Sequence, residues 1–145
     1  MTIRRMAGAI ALALVVSELL GAGIHGFLLG ADYEPFRGSL LRAQAGAPML
    51  LLPVAHLMFV ATLVWVYSRV HFVGGTLVRG AKIGVAGYLL GQAPLWMIWY
   101  AEQPWPGNLL VKQLVLELAS SIVVGLTIAA VCGRGTPAAK VAPAV

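Results

Sequence analysis

Charge is scarce in this chain. Five acidic residues stand against ten lysines and arginines in 145, and charged residues make up only 10% of the total, where soluble domains carry roughly a quarter. With 60% of residues hydrophobic and a mean hydropathy of +0.89, a water-soluble fold is excluded. Cysteine is nearly absent too. Cys132 stands alone, which excludes an intramolecular disulfide, a CxxC redox pair and a multi-thiolate metal site. The net charge of +5 is spread in ones and twos rather than gathered into a patch, so nucleic acid is not an expected partner.

Catalytic motifs are missing as well. No nucleotide-binding loop, nucleophile elbow or Ser/His/Asp set is present, and the nearest glycine-rich run, Val73-Gly74-Gly75-Thr76, has neither a lysine nor a preceding strand. The chain is not expected to be an enzyme, and no cofactor is assigned to it.

What the chain does have is long apolar runs. A helix rises about 1.5 Å per residue, so crossing a hydrocarbon core of about 30 Å takes roughly 20 residues. Four segments reach that length: 6–30, 48–68, 83–101 and 109–133. The expected fold is all-α, a polytopic antiparallel bundle of four transmembrane helices over residues 1–133, followed by a Pro/Ala-rich disordered cytoplasmic tail at 134–145. The first run comes after Arg4 and Arg5 but contains Glu18 near its middle and no convincing small-x-small cleavage site. It reads as an uncleaved helix rather than a signal peptide.

Basic residues orient the bundle, because lysine and arginine are retained on the cytoplasmic side. Arg4, Arg5, Arg69, Arg79, Lys82, Arg134 and Lys140 fall on one side. Arg37 and Arg42, offset by Asp32 and Glu34, fall on the other with Glu102. Both termini are expected inside, in a multi-pass protein of the cell membrane, specifically a bacterial inner membrane. Trp96, Trp99, Tyr100 and Trp105 crowd the opposite interface, where aromatic rings favour the headgroup level.

The two outer loops echo each other, as Glu34-Pro35-Phe36-Arg37-Gly38-Ser39-Leu40-Leu41 and Gln103-Pro104-Trp105-Pro106-Gly107-Asn108-Leu109-Leu110. Either a hairpin has been duplicated, or each loop solves the same turn problem independently, and the latter is favoured. On that view Ser39 begins a short interfacial turn and Asn108 caps the fourth helix.

Polar side chains inside spans need a partner or a purpose, since an ionisable residue costs about 2.5–3.5 kcal/mol at mid-membrane. The candidate cluster is Glu18 and His25 on the first helix, His56 on the second, Gln92 on the third, and Gln113 and Glu117 on the fourth. A spacing of seven places Glu18 and His25 on one helical stripe. Lys112 lies near the outer boundary, from which it can snorkel to water. Gly80, Gly84, Gly87 and Gly91 recur every three or four residues as a ridge for close helix packing, more naturally within the chain than as a dimer seam. Pro53 and Pro94 are expected to bend their helices.

Three functions fit this inventory. The favoured one is a non-catalytic accessory or interaction subunit, set in the lipid bilayer and partnered by a larger membrane complex or by itself as a homo-oligomer. The second is a small proton-linked transporter with Glu18 and Glu117 as the protonatable pair. The third holds haem or a quinone through His25 and His56. A metal site built from Glu18, His25, His56 and Glu117 has no ligand motif behind it and is not assigned.

Overall fold

The computed structural model describes residues 1–41 and 48–133, and among them it is helical throughout, with no strand. Arg42, the remainder of the turn expected after Ser39, and the tail at 134–145 lie outside the described residues. In chain order the elements are α1 (Ile3–Gly21), a π-helical segment π1 (Ala22–Leu28), the short α2 (Gly30–Tyr33) and a 3-10 turn (Glu34–Phe36). They are succeeded by α3 (Leu51–Arg69), α4 (Thr76–Gly87), a second π segment π2 (Tyr88–Gln92), α5 (Ala93–Glu102) and α6 (Gly107–Cys132).

Among the described residues three helices are long and apolar enough to cross a membrane: Ile3–Leu28, Leu51–Arg69 and Gly107–Cys132. Their surfaces fit that solvent. Phe27 is 89% exposed, Leu19 68% and Leu51 63%. Between the second and third of them, α4, π2 and α5 run on as one helical path from Thr76 to Glu102 with no break. That path starts earlier than the apolar run because its first turns carry Arg79 and Lys82. The second of these reaches back to the connecting loop, Lys82 Nζ donating to the Val73 carbonyl at 3.1 Å.

The two π segments have local causes. Pro94 lacks an N–H and its ring clashes with the carbonyl four residues back, Leu90, which lies inside π2. Gly21, Gly23 and Gly26, which hold α-helical geometry weakly, flank and occupy π1. Its wide turn closes with the Leu29 amide donating to the Ile24 carbonyl at 2.8 Å. Pro53, by contrast, sits in the first turn of α3, where amides have no helical acceptor, so it forces no bend.

One capping expectation needs correction. The N-cap of α6 is Pro106, with no side-chain bond, and Asn108 already lies inside the helix. Ser39 Oγ donates to the Phe36 carbonyl at 3.1 Å, and the turn expected to begin there runs into residues outside those described. The second loop leads into its helix from Pro106 and Gly107 without a capping side chain. Gly38, at φ +80°, takes a conformation that few other residues adopt.

α6 is the centre of the molecule. Its buried face runs through Leu109, Gln113, Glu117, Ser120, Ser121, Val124, Gly125, Ile128 and Cys132 at spacings of mostly three and four. It packs most extensively against α4 and next against α1, while α1 covers α3; α3 and α4 touch only lightly. One apolar core joins Ala9, Ala13, Val60, Leu63, Val64, Ile83, Val124, Ile128 and Cys132. A second joins Ile24, Leu29, Tyr33 and Leu109. The polar residues of α6 lie between the two along its length.

The glycine ridge is divided between two neighbours. A Cβ at Gly80 would stand 2.7 Å from Leu126 Cα and one at Gly84 2.7 Å from Ile122 Cα, so α4 and α6 approach backbone to backbone. Gly125 completes that seam from the α6 side, facing the backbone of Gly80 and Gly84. A Cβ at Gly87 would instead meet Leu63 at 2.8 Å, and one at Gly91 would meet Phe59 at 3.6 Å, both on α3.

Candidate functional site: a carboxylate held by two π segments

Glu117 is the hub of the polar layer. Its side chain is 10% exposed, and each carboxylate oxygen accepts a bond from a different π segment. His25 of π1 approaches Oε1 through Nε2 at 2.8 Å. Gln92 of π2 donates Nε2 to Oε2 at 3.1 Å. A π turn holds one more residue than an α turn and so rotates the helix beyond it. That rotation separates His25 from the Glu18 stripe expected from α-helical spacing and turns it toward α6. Side chains from otherwise regular helices are thereby aimed at one carboxylate.

The network extends outward from the hub on both sides. Ser121 donates its hydroxyl to Gln92 Oε1. On the other side His25 Nδ1 lies 2.9 Å from the Tyr33 hydroxyl, which accepts from Gln113 Nε2. With Glu117 ionised and His25 neutral, the donors run in one direction. Gln113 donates to Tyr33, Tyr33 to Nδ1 of His25, and Nε2 of His25 to Glu117. One proton entering at Nδ1, with the Nε2 proton passing to Glu117, leaves the carboxyl neutral and the imidazole in its other tautomer. The arrangement is a continuous hydrogen-bonded chain that ends on a carboxylate.

Aromatic rings wall the same end of the bundle. Tyr33 stacks on His25 with ring centres 5.9 Å apart, and Trp96 meets His25 at 6.0 Å. Phe36 and Trp105, which occupy equivalent positions in the two echoing loops, meet at 5.1 Å. Lys112 Nζ donates to both carboxylate oxygens of Asp32 at 2.8 Å, tying α6 to α2. Its position near the expected boundary therefore provides an ion partner as well as access to water.

Glu18 and His56 form a second, separate pair, with His56 Nδ1 2.9 Å from Glu18 Oε1. Among the described residues no hydrogen bond connects this pair to the Glu117 network. Of the six candidate residues, His25, Gln92, Gln113 and Glu117 are brought together, while Glu18 and His56 bond only to each other. The second pair stands on the outside of the bundle, His56 32% and Glu18 38% exposed. There α1 comes close to α3, since a Cβ at Gly21 would already be 3.2 Å from His56 Cε1.

Tyr33 is the residue that sequence alone did not single out. It lies just past the apolar run and reads there as an interfacial aromatic. Burial pushes its phenol up from 10.0 to about 12, the bond from Gln113 acting the other way. It therefore holds its proton through neutral pH and can donate to His25. The unfolded chain ionises first, near pH 10.0, so Tyr33 supports the fold fully below that value. Its contribution falls as pH rises toward about 12. In unfolding titrations the wild type should lose stability over this window more steeply than Tyr33→Phe. At neutral pH the Phe variant should be about 1–3 kcal/mol less stable, because His25 and Gln113 lose a buried partner. Parallel curves for the two proteins would refute the assignment.

Among the described residues no three His, Cys, Asp or Glu side chains lie close enough to hold a metal ion. Both ring nitrogens of His25 are engaged, so axial ligation of haem would break its bond to Tyr33 or to Glu117. Comparison with protein-family models, curated proteins and solved structures finds no match.

Proposed function

We propose that the chain is a four-span protein of the bacterial inner membrane, both termini in the cytoplasm, that acts as a non-catalytic interaction subunit. The unbroken helical path from Thr76 to Glu102 supports a further span, third in chain order, with its wide π turn accommodating Pro94. The lysine and arginine bias gives the orientation. One observation carries the interaction role: Glu18 and His56, 38% and 32% exposed and outside the Glu117 network, stand on helices that lipid would otherwise cover. A polar pair is unfavourable against acyl chains and favourable against another protein.

Solubilised gently from membranes, the full chain should migrate as part of an assembly of fixed stoichiometry larger than one copy. Glu18→Ala should release it from that assembly without altering any solute flux. A lone monomer in native membranes would sink this role. Reporter groups placed after Glu102 and at the C-terminus should report opposite sides of the membrane.

A proton-linked role is the second reading, favoured by the aligned chain from Tyr33 through His25 to Glu117. Proton flux into liposomes that disappears with Glu117→Gln would support it over the first.

A further inference from the structure

The Glu18–His56 pair is only half satisfied. His56 Nδ1 meets Glu18 Oε1, but among the described residues nothing bonds to Glu18 Oε2 or to His56 Nε2. Counted as carboxylate and imidazolium, the pair is neutral, and it presents one free acceptor beside one free N–H donor. A surface with one of each, side by side, is complementary to itself. Under a twofold axis every donor meets an acceptor, and the same patch serves both partners.

Depth favours the same conclusion. Two copies inserted with the same topology are related by an axis along the membrane normal, and rotation about that axis leaves the depth of every atom unchanged. Reciprocal bonding therefore requires Glu18 and His56 to share one level in the bilayer. Their 2.9 Å bond within the chain places them at one level. An unlike partner has no such constraint to meet.

The surrounding surface permits close approach. Ala22, one turn from Glu18, is exposed, and further along the same helix a Cβ built on Gly26 meets nothing within 4 Å. Gly26 also helps to loosen the helix into π1, but unlike Gly80, Gly84 and Gly125 it faces no neighbouring helix within the chain. Glycine on an open helix face lets a second backbone come near.

We propose that two copies of the chain associate side by side through the α1–α3 face about a twofold axis normal to the membrane. His56 Nε2 of each donates to Glu18 Oε2 of the other. The four groups then form a neutral ring of two carboxylates and two imidazoliums, shielded from lipid. This rests on the interaction role above and names its partner.

The test uses the full chain in lipid bilayers, with Cys132→Ala removing the native thiol. Oxidation should give a covalent dimer with Ala22→Cys and none with Val115→Cys, which is exposed on α6. Glu18→Ala or His56→Ala should weaken dimerisation about tenfold, the factor corresponding to two interhelical hydrogen bonds of ordinary strength in a membrane. The exchanged double variant Glu18→His with His56→Glu should restore it, since the swap keeps the patch self-complementary. Cross-linking through Val115→Cys in place of Ala22→Cys, or failure of the exchange to rescue, overturns the proposal. So does a chain that stays monomeric at every protein-to-lipid ratio. If that monomer is found with an unlike polypeptide at fixed stoichiometry, the interaction role survives; if it is found alone, both fall.

Discussion

Glu117→Ala should destabilise the bundle by about 3 kcal/mol relative to its separated, still-inserted helices. When the helices part, the wild-type carboxylate faces lipid at a cost of about 2.5–3.5 kcal/mol for an ionisable residue at mid-membrane. Packing removes that cost by giving Oε1 to His25 and Oε2 to Gln92. Alanine has no such cost to relieve, so association loses this drive. The two hydrogen bonds, at about 0.6 kcal/mol each, are the smaller part of the effect. Glu117→Gln separates the contributions. Its single oxygen can still accept from His25, but its amide nitrogen then faces the donor of Gln92, so a smaller loss of about 1 kcal/mol is expected. Equilibrium unfolding in mixed micelles checks both values. An alanine variant within about half a kcal/mol of wild type would show that the hub does not hold the helices together.

Gly125→Ala should be the most damaging single methyl group in the molecule. Its Cβ would lie 2.6 Å from Gly84 N and 2.8 Å from Gly84 Cα, atoms of backbone that no side-chain rotation can move. Relief requires α4 to draw away from α6 along the largest interface of the bundle, and overpacking of this kind costs about 1–3 kcal/mol or more. Gly91→Ala provides the contrast. There the new methyl makes an ordinary contact with Phe59 at 3.6 Å, while alanine improves helix propensity by about 0.8–1 kcal/mol. The first variant should unfold more readily than wild type and the second should be unchanged or slightly firmer. Equal effects at the two sites would mean that the α4–α6 seam is not set by backbone contact.

The apolar helices were legible in the sequence because hydrocarbon thickness imposes a length that composition alone satisfies. Residues such as Glu117 and Gln113 stood out for a similar reason, being polar where lipid or protein interior must surround them. Their grouping was harder to read. Counting by sevens from Glu18 to His25 assumes an unbroken α-helix, and π1 breaks that assumption. The signal for it was local, in Gly21, Gly23 and Gly26 for π1 and Pro94 for π2. Tyr33 was missed because its burial comes from contacts with α6, far away in sequence. The glycine ridge was visible as a pattern, yet its division between α6 and α3 depends on where those helices stand around α4.

The central place of α6 bears on how the molecule is made. A ribosome delivers α1, α3 and α4 to the membrane before α6 has been synthesised. Until it arrives, His25 and Gln92 lack their shared acceptor, and the faces of Gly80 and Gly84 lie open. The earlier helices are therefore an unfinished product that membrane quality control can distinguish from the complete one. Arrival of α6 is the event that ends that exposure, so nascent chains should be open to degradation up to this step of biogenesis.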